Sequence, residues 1–305
     1  MSLAQDYTVA APPCELIGLA GAPVVVVLGG ISADRHVCAH AGNPLPGWWE
    51  GVAGDAGALD TTRFQLFGCD YVDGGSSADG RADRAVSTRD QAAAVAQALE
   101  NAGIDRVHAV VGASYGGMVA LAFAELFPER LERLVVIGAA HRSHPMITAL
   151  RAIQRRVVEL GLATGRAHDA LVLARALAVT TYRTAREFET RFDLTPIVTA
   201  NDVIFPVESY LLRHGERFAA RFTPARFLAL SLSSDLHSVD PARITTPATL
   251  VAIEGDTIVP REQVEQLARD LGAPARLVDL PSDKGHDGFL TEAAALNPIL
   301  HAALS

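Results

Sequence analysis

Cysteine is scarce. Cys14, Cys38 and Cys69 are the only three in 305 residues, an odd number without a Cys-x-x-Cys pair. That pattern excludes a disulfide framework and a thiolate zinc site, and it fits a reducing compartment. A basic excess is missing as well. With a formal net charge of −9, the chain lacks the cationic surface by which nucleic-acid-binding proteins hold phosphate. An anionic ligand would need cations gathered locally. The first residues show no basic segment followed by an apolar one, as an export signal requires. No apolar run is long enough to span a bilayer, and the longest, such as 24–28, have strand length. The expectation is a cytoplasmic protein with no nucleic-acid or membrane partner and no bound metal.

What is present is a strong alternation of element types. Short β-branched runs at 23–30, 64–70, 107–112, 134–139, 248–256 and 275–280 are apolar almost throughout, as strands covered on both faces must be. Between them lie helical patterns at 87–102, 115–127 and 261–271. The first opens with Ser87 and Asp90 in capping-box spacing and stops at Gly103. Alternating strands and helices predict an α/β fold, a mostly parallel central sheet flanked by helices. The stretch 145–235 differs: it is rich in Arg, Leu and Ala, helical in period, and without a strand pattern. The predicted organisation is a core of 1–144 and 236–305 with an inserted all-helical cap or lid at 145–235.

Gly112-Ala113-Ser114-Tyr115-Gly116 follows one predicted strand directly and opens a helix. This is Gly-x-Ser-x-Gly in the strand–turn–helix setting of the α/β-hydrolase fold, where the turn lifts the serine hydroxyl above the sheet. Ser114 is thus the candidate nucleophile, and the N–H of Tyr115 a candidate oxyanion donor. In this fold the acid and the histidine follow the serine in chain order. His286, in a loop after the last strand and next to Gly285, is the candidate base, since neutral imidazole can take the serine proton and return it. Asp256, just beyond the preceding strand, is the candidate acid that orients the imidazole; Glu254 lies close enough to compete. The second oxyanion donor is expected in the glycine loop 28–32, from the amide of Ile31 or Gly30.

Further blocks occur in order along the chain: Gly47-Trp48-Trp49-Glu50-Gly51, Ala58-Leu59-Asp60-Thr61, Gly116-Gly117-Met118, Thr181-Tyr182-Arg183-Thr184, Glu187-Phe188-Glu189, Glu208-Ser209-Tyr210-Leu211 and Gly285-His286-Asp287. Together they resemble the homoserine O-acetyltransferase family, over about residues 24–292. The resemblance implies an acyl-CoA-dependent O-acyltransferase acting on L-homoserine, with acetyl-CoA or succinyl-CoA as co-substrate and no bound cofactor. It also implies a ping-pong acyl-enzyme on Ser114, a place in methionine biosynthesis, and a homodimer. Carried over residue by residue, Arg183 is expected to hold the substrate carboxylate and Asp287 the substrate ammonium.

The chain also departs from the family pattern. Leu28-Gly29-Gly30-Ile31-Ser32 stands where His-Ala-Leu-Thr-Gly is usual, Tyr115 replaces a common Met, and the glycine-rich segment 74–80 lacks its usual Thr-Gly-Pro end. Ile258 occupies the position where succinyl-using relatives can carry arginine, leaving Arg35, Arg142 or Arg261 to meet a second carboxylate. These features mark a divergent member, with a serine O-acyltransferase or a plain esterase as alternative activities.

Overall fold

The computed structural model describes residues 11–55, 57–75, 84–199 and 202–305. Most of the unusual segment at 74–80 therefore lies outside the described residues. Seven strands form one sheet: β1 (Cys14–Gly18), β2 (Val24–Leu28), β3 (Gln65–Cys69), β4 (Val107–Ala113), β5 (Leu131–Ile137), β8 (Ala248–Ile253) and β9 (Ala275–Leu280), in the order β1-β3-β2-β4-β5-β8-β9. All neighbours pair in parallel except β1, which runs antiparallel to β3. β1 is absent from the predicted strands for a physical reason. At the sheet edge only Ile17 of its five residues is buried, so it has no apolar run to show.

Alternate residues of the inner strands feed two cores. Val26, Leu28, Val110 and Val136 pack with helices α1 (Thr88–Asn101), α2 (Tyr115–Leu126) and α8 (Arg261–Asp270) on one face. Val25, Val27, Val111 and Val135 pack on the other with Trp49, Leu59 and the C-terminal helix α10 (Ala293–Leu304), which follows the short α9 (Gly288–Thr291). α1 starts as its sequence requires, with Ser87 and Asp90 capping each other reciprocally. α2 is different in kind: eleven of its twelve residues are buried, which explains its lack of a polar face.

Between β5 and β8 the chain forms α3 (Pro145–Ala163), α4 (Ala167–Tyr182), α5 (Ala185–Arg191), α6 (Pro206–Ala219) and α7 (Pro224–Asp235). The expectation of no strand in this stretch needs one correction. Ile197–Val198 (β6) and Val203–Ile204 (β7) pair as a small antiparallel hairpin. Two-residue strands with mostly exposed side chains are too short to leave a period in the sequence.

The strand order reverses at β2, with β3 added on one side and β4 on the other. The loops leaving β2 and β4 thus emerge side by side at the carboxyl end of the sheet, where this architecture opens its crevice. No helix among the described residues is long and apolar enough to cross a membrane.

Candidate active site

Ser114 is the one described non-glycine residue with positive φ, at 56° with ψ −120°. Such a conformation persists only where the surroundings enforce it. They do so here by close backbone contact. A Cβ at Gly112 would come within 2.2 Å of the Gly116 carbonyl oxygen, and one at Gly116 within 2.1 Å of the Leu28 carbonyl oxygen. The Ser114 amide donates to the Ile137 carbonyl at 2.8 Å, and the Gly116 amide donates to the Gly29 carbonyl at 2.9 Å. The second bond clips the loop after β2 onto the first turn of α2.

Ser114 Oγ lies 2.7 Å from His286 Nε2, and His286 Nδ1 lies 2.7 Å from Asp256 Oδ2. A carboxylate can only accept, so Nδ1 carries the proton and the Nε2 lone pair faces the serine hydroxyl. Asp256 Oδ1 is held by the amides of Ile258 and Val259 at 2.8 and 3.0 Å, which fixes the carboxylate that fixes the ring. Both Asp256 and His286 are buried. Burial alone would push the imidazole pKa down; the charge and hydrogen bond of Asp256, aided by Asp287, more than reverse this, and the net shift is upward. Glu254, the rival acid, is exposed and does not reach the imidazole.

The amides of Tyr115 and Ile31 form no hydrogen bond among the described residues. Both residues, with Gly30, line the cavity above Ser114, and a Cβ on Gly30 would sit 3.9 Å from that of Ser114. Two unused N–H groups beside a nucleophile are what an oxyanion requires. The Tyr115 side chain acts elsewhere, its buried hydroxyl meeting Ser233 Oγ on α7 at 2.7 Å.

Of the two residues assigned to the acceptor by resemblance, Asp287 lines the cavity and Arg183 does not. Arg183 is enclosed between Glu187, at 3.2 Å, and Asp287, whose Oδ2 lies 2.9 Å from its Nε. That N–H is not directed at the oxygen and remains without an aligned acceptor, so the contact with Asp287 is electrostatic rather than a hydrogen bond. Besides Arg151 on α3, which pairs with Asp235, the cation that reaches the cavity is Arg175 on α4. It stacks over Tyr182 and Phe218 at 5.0 and 4.8 Å and donates to the Tyr182 hydroxyl at 3.3 Å, with no carboxylate partner among the described residues. The sequence signal was its spacing: Arg175 and Tyr182 are seven residues apart, two turns along one helix face, and the Tyr182 ring lies 6.1 Å from that of His286.

The arginines considered for a second carboxylate stand elsewhere. Arg35 pairs with Asp70, and Arg261 with Asp279 and Glu265. Arg142 is exposed, and none of the three lines the cavity. Ile258 does line it, as an apolar wall. Away from the cavity, Glu15, His36 and His40 bring three potential metal-ligand atoms together. The Gly42 amide donates to His40 Nδ1, which leaves the proton of a neutral ring on Nε2, toward Glu15. A metal-ligating histidine would do the reverse, donating its distal N–H.

Residues 23–293 match the family profile described as alpha/beta hydrolase fold. A homoserine O-succinyltransferase from Xanthomonas campestris pv. campestris is 43% identical over 290 residues, covering 95% of this chain and 78% of that protein. A serine O-succinyltransferase from Frateuria aurantia is 32% identical over 312 residues, covering 88% and 84%. The crystal structure of homoserine O-acetyltransferase from Bacillus anthracis shares the fold, with a TM-score of 0.85 at 16% identity over 96% of this chain and 91% of that one. With its strand–turn–helix loop at Ser114 and its similarity to these enzymes over most of its length, the chain belongs to the homoserine O-acetyltransferase family of the α/β-hydrolase fold.

Proposed function

We propose that this enzyme transfers an acyl group from a coenzyme A thioester to the side-chain hydroxyl of L-homoserine through an ester on Ser114. Residues 145–235 act in this reading as a cap over a core of 1–144 and 236–305. The observation that carries it is a hydrogen-bonded chain Ser114–His286–Asp256 opening on a cavity whose lining, among the described residues, has one cation without a carboxylate partner, Arg175, and one carboxylate, Asp287. Opposite charges beside a nucleophile suit a small zwitterion, and the planar fork of arginine suits its carboxylate. Arg183 then serves as a positioning residue that holds Asp287 toward the ammonium.

The chemistry balances on one proton. His286 Nε2 takes the hydroxyl proton of Ser114 as Oγ attacks the thioester carbonyl, and the amides of Tyr115 and Ile31 receive the oxyanion. The carbon–sulfur bond breaks, and His286 returns the proton to the leaving thiolate, releasing free coenzyme A. The acceptor hydroxyl next gives its proton to His286 while its oxygen attacks the Ser114 ester. Collapse of that intermediate frees the product and restores the serine hydroxyl.

The test separates the two half-reactions. Burst release of coenzyme A without acceptor reports formation of the ester; steady-state turnover with homoserine, and with serine as comparison, reports transfer. Arg175→Met and Asp287→Asn should each slow transfer by roughly 10²–10³ and the burst far less, since a substrate charge is left unpaired in a closed site. Equal losses in both steps would overturn the assignment of this pair to the acceptor. A coenzyme A burst that survives Ser114→Ala would overturn the mechanism itself.

A further inference from the structure

At the α3–α7 end of the cavity there is a second polar group of residues that the reaction above does not use. Along α3, Ile147, Leu150, Arg151 and Gln154 all line the cavity. Their spacing places them on one helix face, which changes from apolar to polar over about 10 Å. Gln154 is only 4% exposed, yet its side-chain amide has no hydrogen-bond partner among the described residues. The amide opens on the cavity, so its hydrogen-bonding capacity is left for whatever occupies that space.

Its neighbours are donors too. Arg151 gives Nε to Asp235 at 2.7 Å and Nη2 to Ser143, leaving Nη1 without a partner among the described residues. Ser231, facing from α7, accepts from Arg155 Nη1 at 3.0 Å, so its own proton is free to donate. Asp235 cannot neutralise the group. Its oxygens are already taken by Thr148, Arg151 and Arg155, and two guanidiniums around one carboxylate leave a net positive charge. That charge lies near enough to the reacting centre to act on His286.

We propose that Arg151, Gln154 and Ser231 form an anion subsite that holds the free carboxylate of a dicarboxylic acyl group, of the succinyl class, while its other end is bonded to Ser114. This rests on the acyl-transfer reading above. With its one carboxylate shared by two guanidiniums, the group keeps a net positive charge that repels an ammonium, so it suits an anion that carries no attached cation. That separates it from the acceptor site, where Arg175 and Asp287 supply both signs. Ile147 and Leu150 then cover the methylene carbons between the ester and the carboxylate. An acetyl group, with no second carboxylate, would leave all three donors without an anion to hold.

The experiment compares the coenzyme A burst from succinyl-CoA with that from butyryl-CoA, which has the same chain length and no charge. The wild-type protein should prefer succinyl-CoA about 100-fold or more, as expected of a site whose buried donors must be satisfied. Gln154 is the residue to vary, because among the described residues it has no hydrogen-bond partner to lose. Gln154→Leu should narrow the preference about tenfold, and Gln154→Glu, which sets a like charge against the carboxylate, should abolish or invert it. A wild-type protein that takes both thioesters equally well would overturn the proposal. So would Gln154 variants that slow both bursts alike, or that raise the KM for homoserine while leaving donor preference intact. In each of those cases the acyl-transfer reading stands. If neither thioester acylates Ser114, that reading falls and this subsite with it.

Discussion

Tyr115 and Ser233 meet hydroxyl to hydroxyl at 2.7 Å, both buried, so the residue after Ser114 is tied by its side chain to α7 while its amide makes no hydrogen bond among the described residues. Tyr115→Phe leaves Ser233 unpaired in the interior and should cost about 1–3 kcal/mol in denaturant unfolding. The double variant with Ser233→Ala should recover part of that loss. Additive losses in the two single variants would show that the pair is not coupled.

The pH dependence of the burst follows from the raised pKa of His286. Only the neutral ring can accept the Ser114 proton, so activity falls as pH drops through that pKa, and the acid limb should lie above the ordinary imidazole value of about 6.5. Asp256→Asn removes the charge responsible for the upward shift and leaves burial to act alone. The limb should move to lower pH, with the plateau rate reduced by about 10⁴ because the ring loses its correct tautomer. A limb that stays in place would assign the pH dependence to another group.

Backbone strain at Ser114 can be read from two truncations. Ser114→Ala and Ser114→Gly both remove the hydrogen bond to His286, but only glycine relieves the positive φ. The glycine variant should be the more stable of the two by about 1–2 kcal/mol, although neither forms the acyl-enzyme. Equal stability would mean the turn is held without strain.

His237 makes a separate prediction about acid stability. Buried beneath α1, it donates Nε2–H to the Ala140 carbonyl at 2.9 Å and takes a hydrogen bond from Thr88 at Nδ1. Burial pushes its pKa down to about 3, against the opposing pull of the Ala140 carbonyl. The unfolded chain binds a proton below about pH 6.5 while the folded one does not. This residue therefore removes stability as pH falls from about 6.5 toward 3, by at most about 1.4 kcal/mol per unit. Urea unfolding at several pH values should show a shallower loss in His237→Asn than in the wild-type protein, and parallel curves would refute the assignment.

The inner strands are legible in the sequence because residues buried on both faces leave unbroken apolar runs, as at Val24–Leu28. β1 and the hairpin are not, since half-exposed edges and two-residue strands carry no such run. Ser114, Asp256 and His286 can be located because each sits in a short turn whose glycines and chain position mark it. Arg175, Arg151 and Gln154 cannot. Their meaning depends on which face of α3 and α4 turns inward and on which arginines are already paired. Resemblance alone assigns Arg183 to the substrate carboxylate, and only the fold shows Glu187 and Asp287 around it. Pairing between distant side chains is a tertiary fact with no local signature.

The burial of α2 on nearly every side bears on how this enzyme can diversify. Gly116 and Gly117 already abut Leu28 and Ala139 so closely that even one added carbon would collide. The helix that follows Ser114 therefore leaves little room for substitution beyond Tyr115 and Met118, the two of its residues that line the cavity. Changes of acyl or amino-acid preference are expected chiefly on the rest of the cavity wall, on the helices that bear Arg151, Gln154, Arg175 and Ser231 and in the loops that bear Ile258 and Asp287. Descent can rewrite the cavity wall and leave the reacting centre as it is.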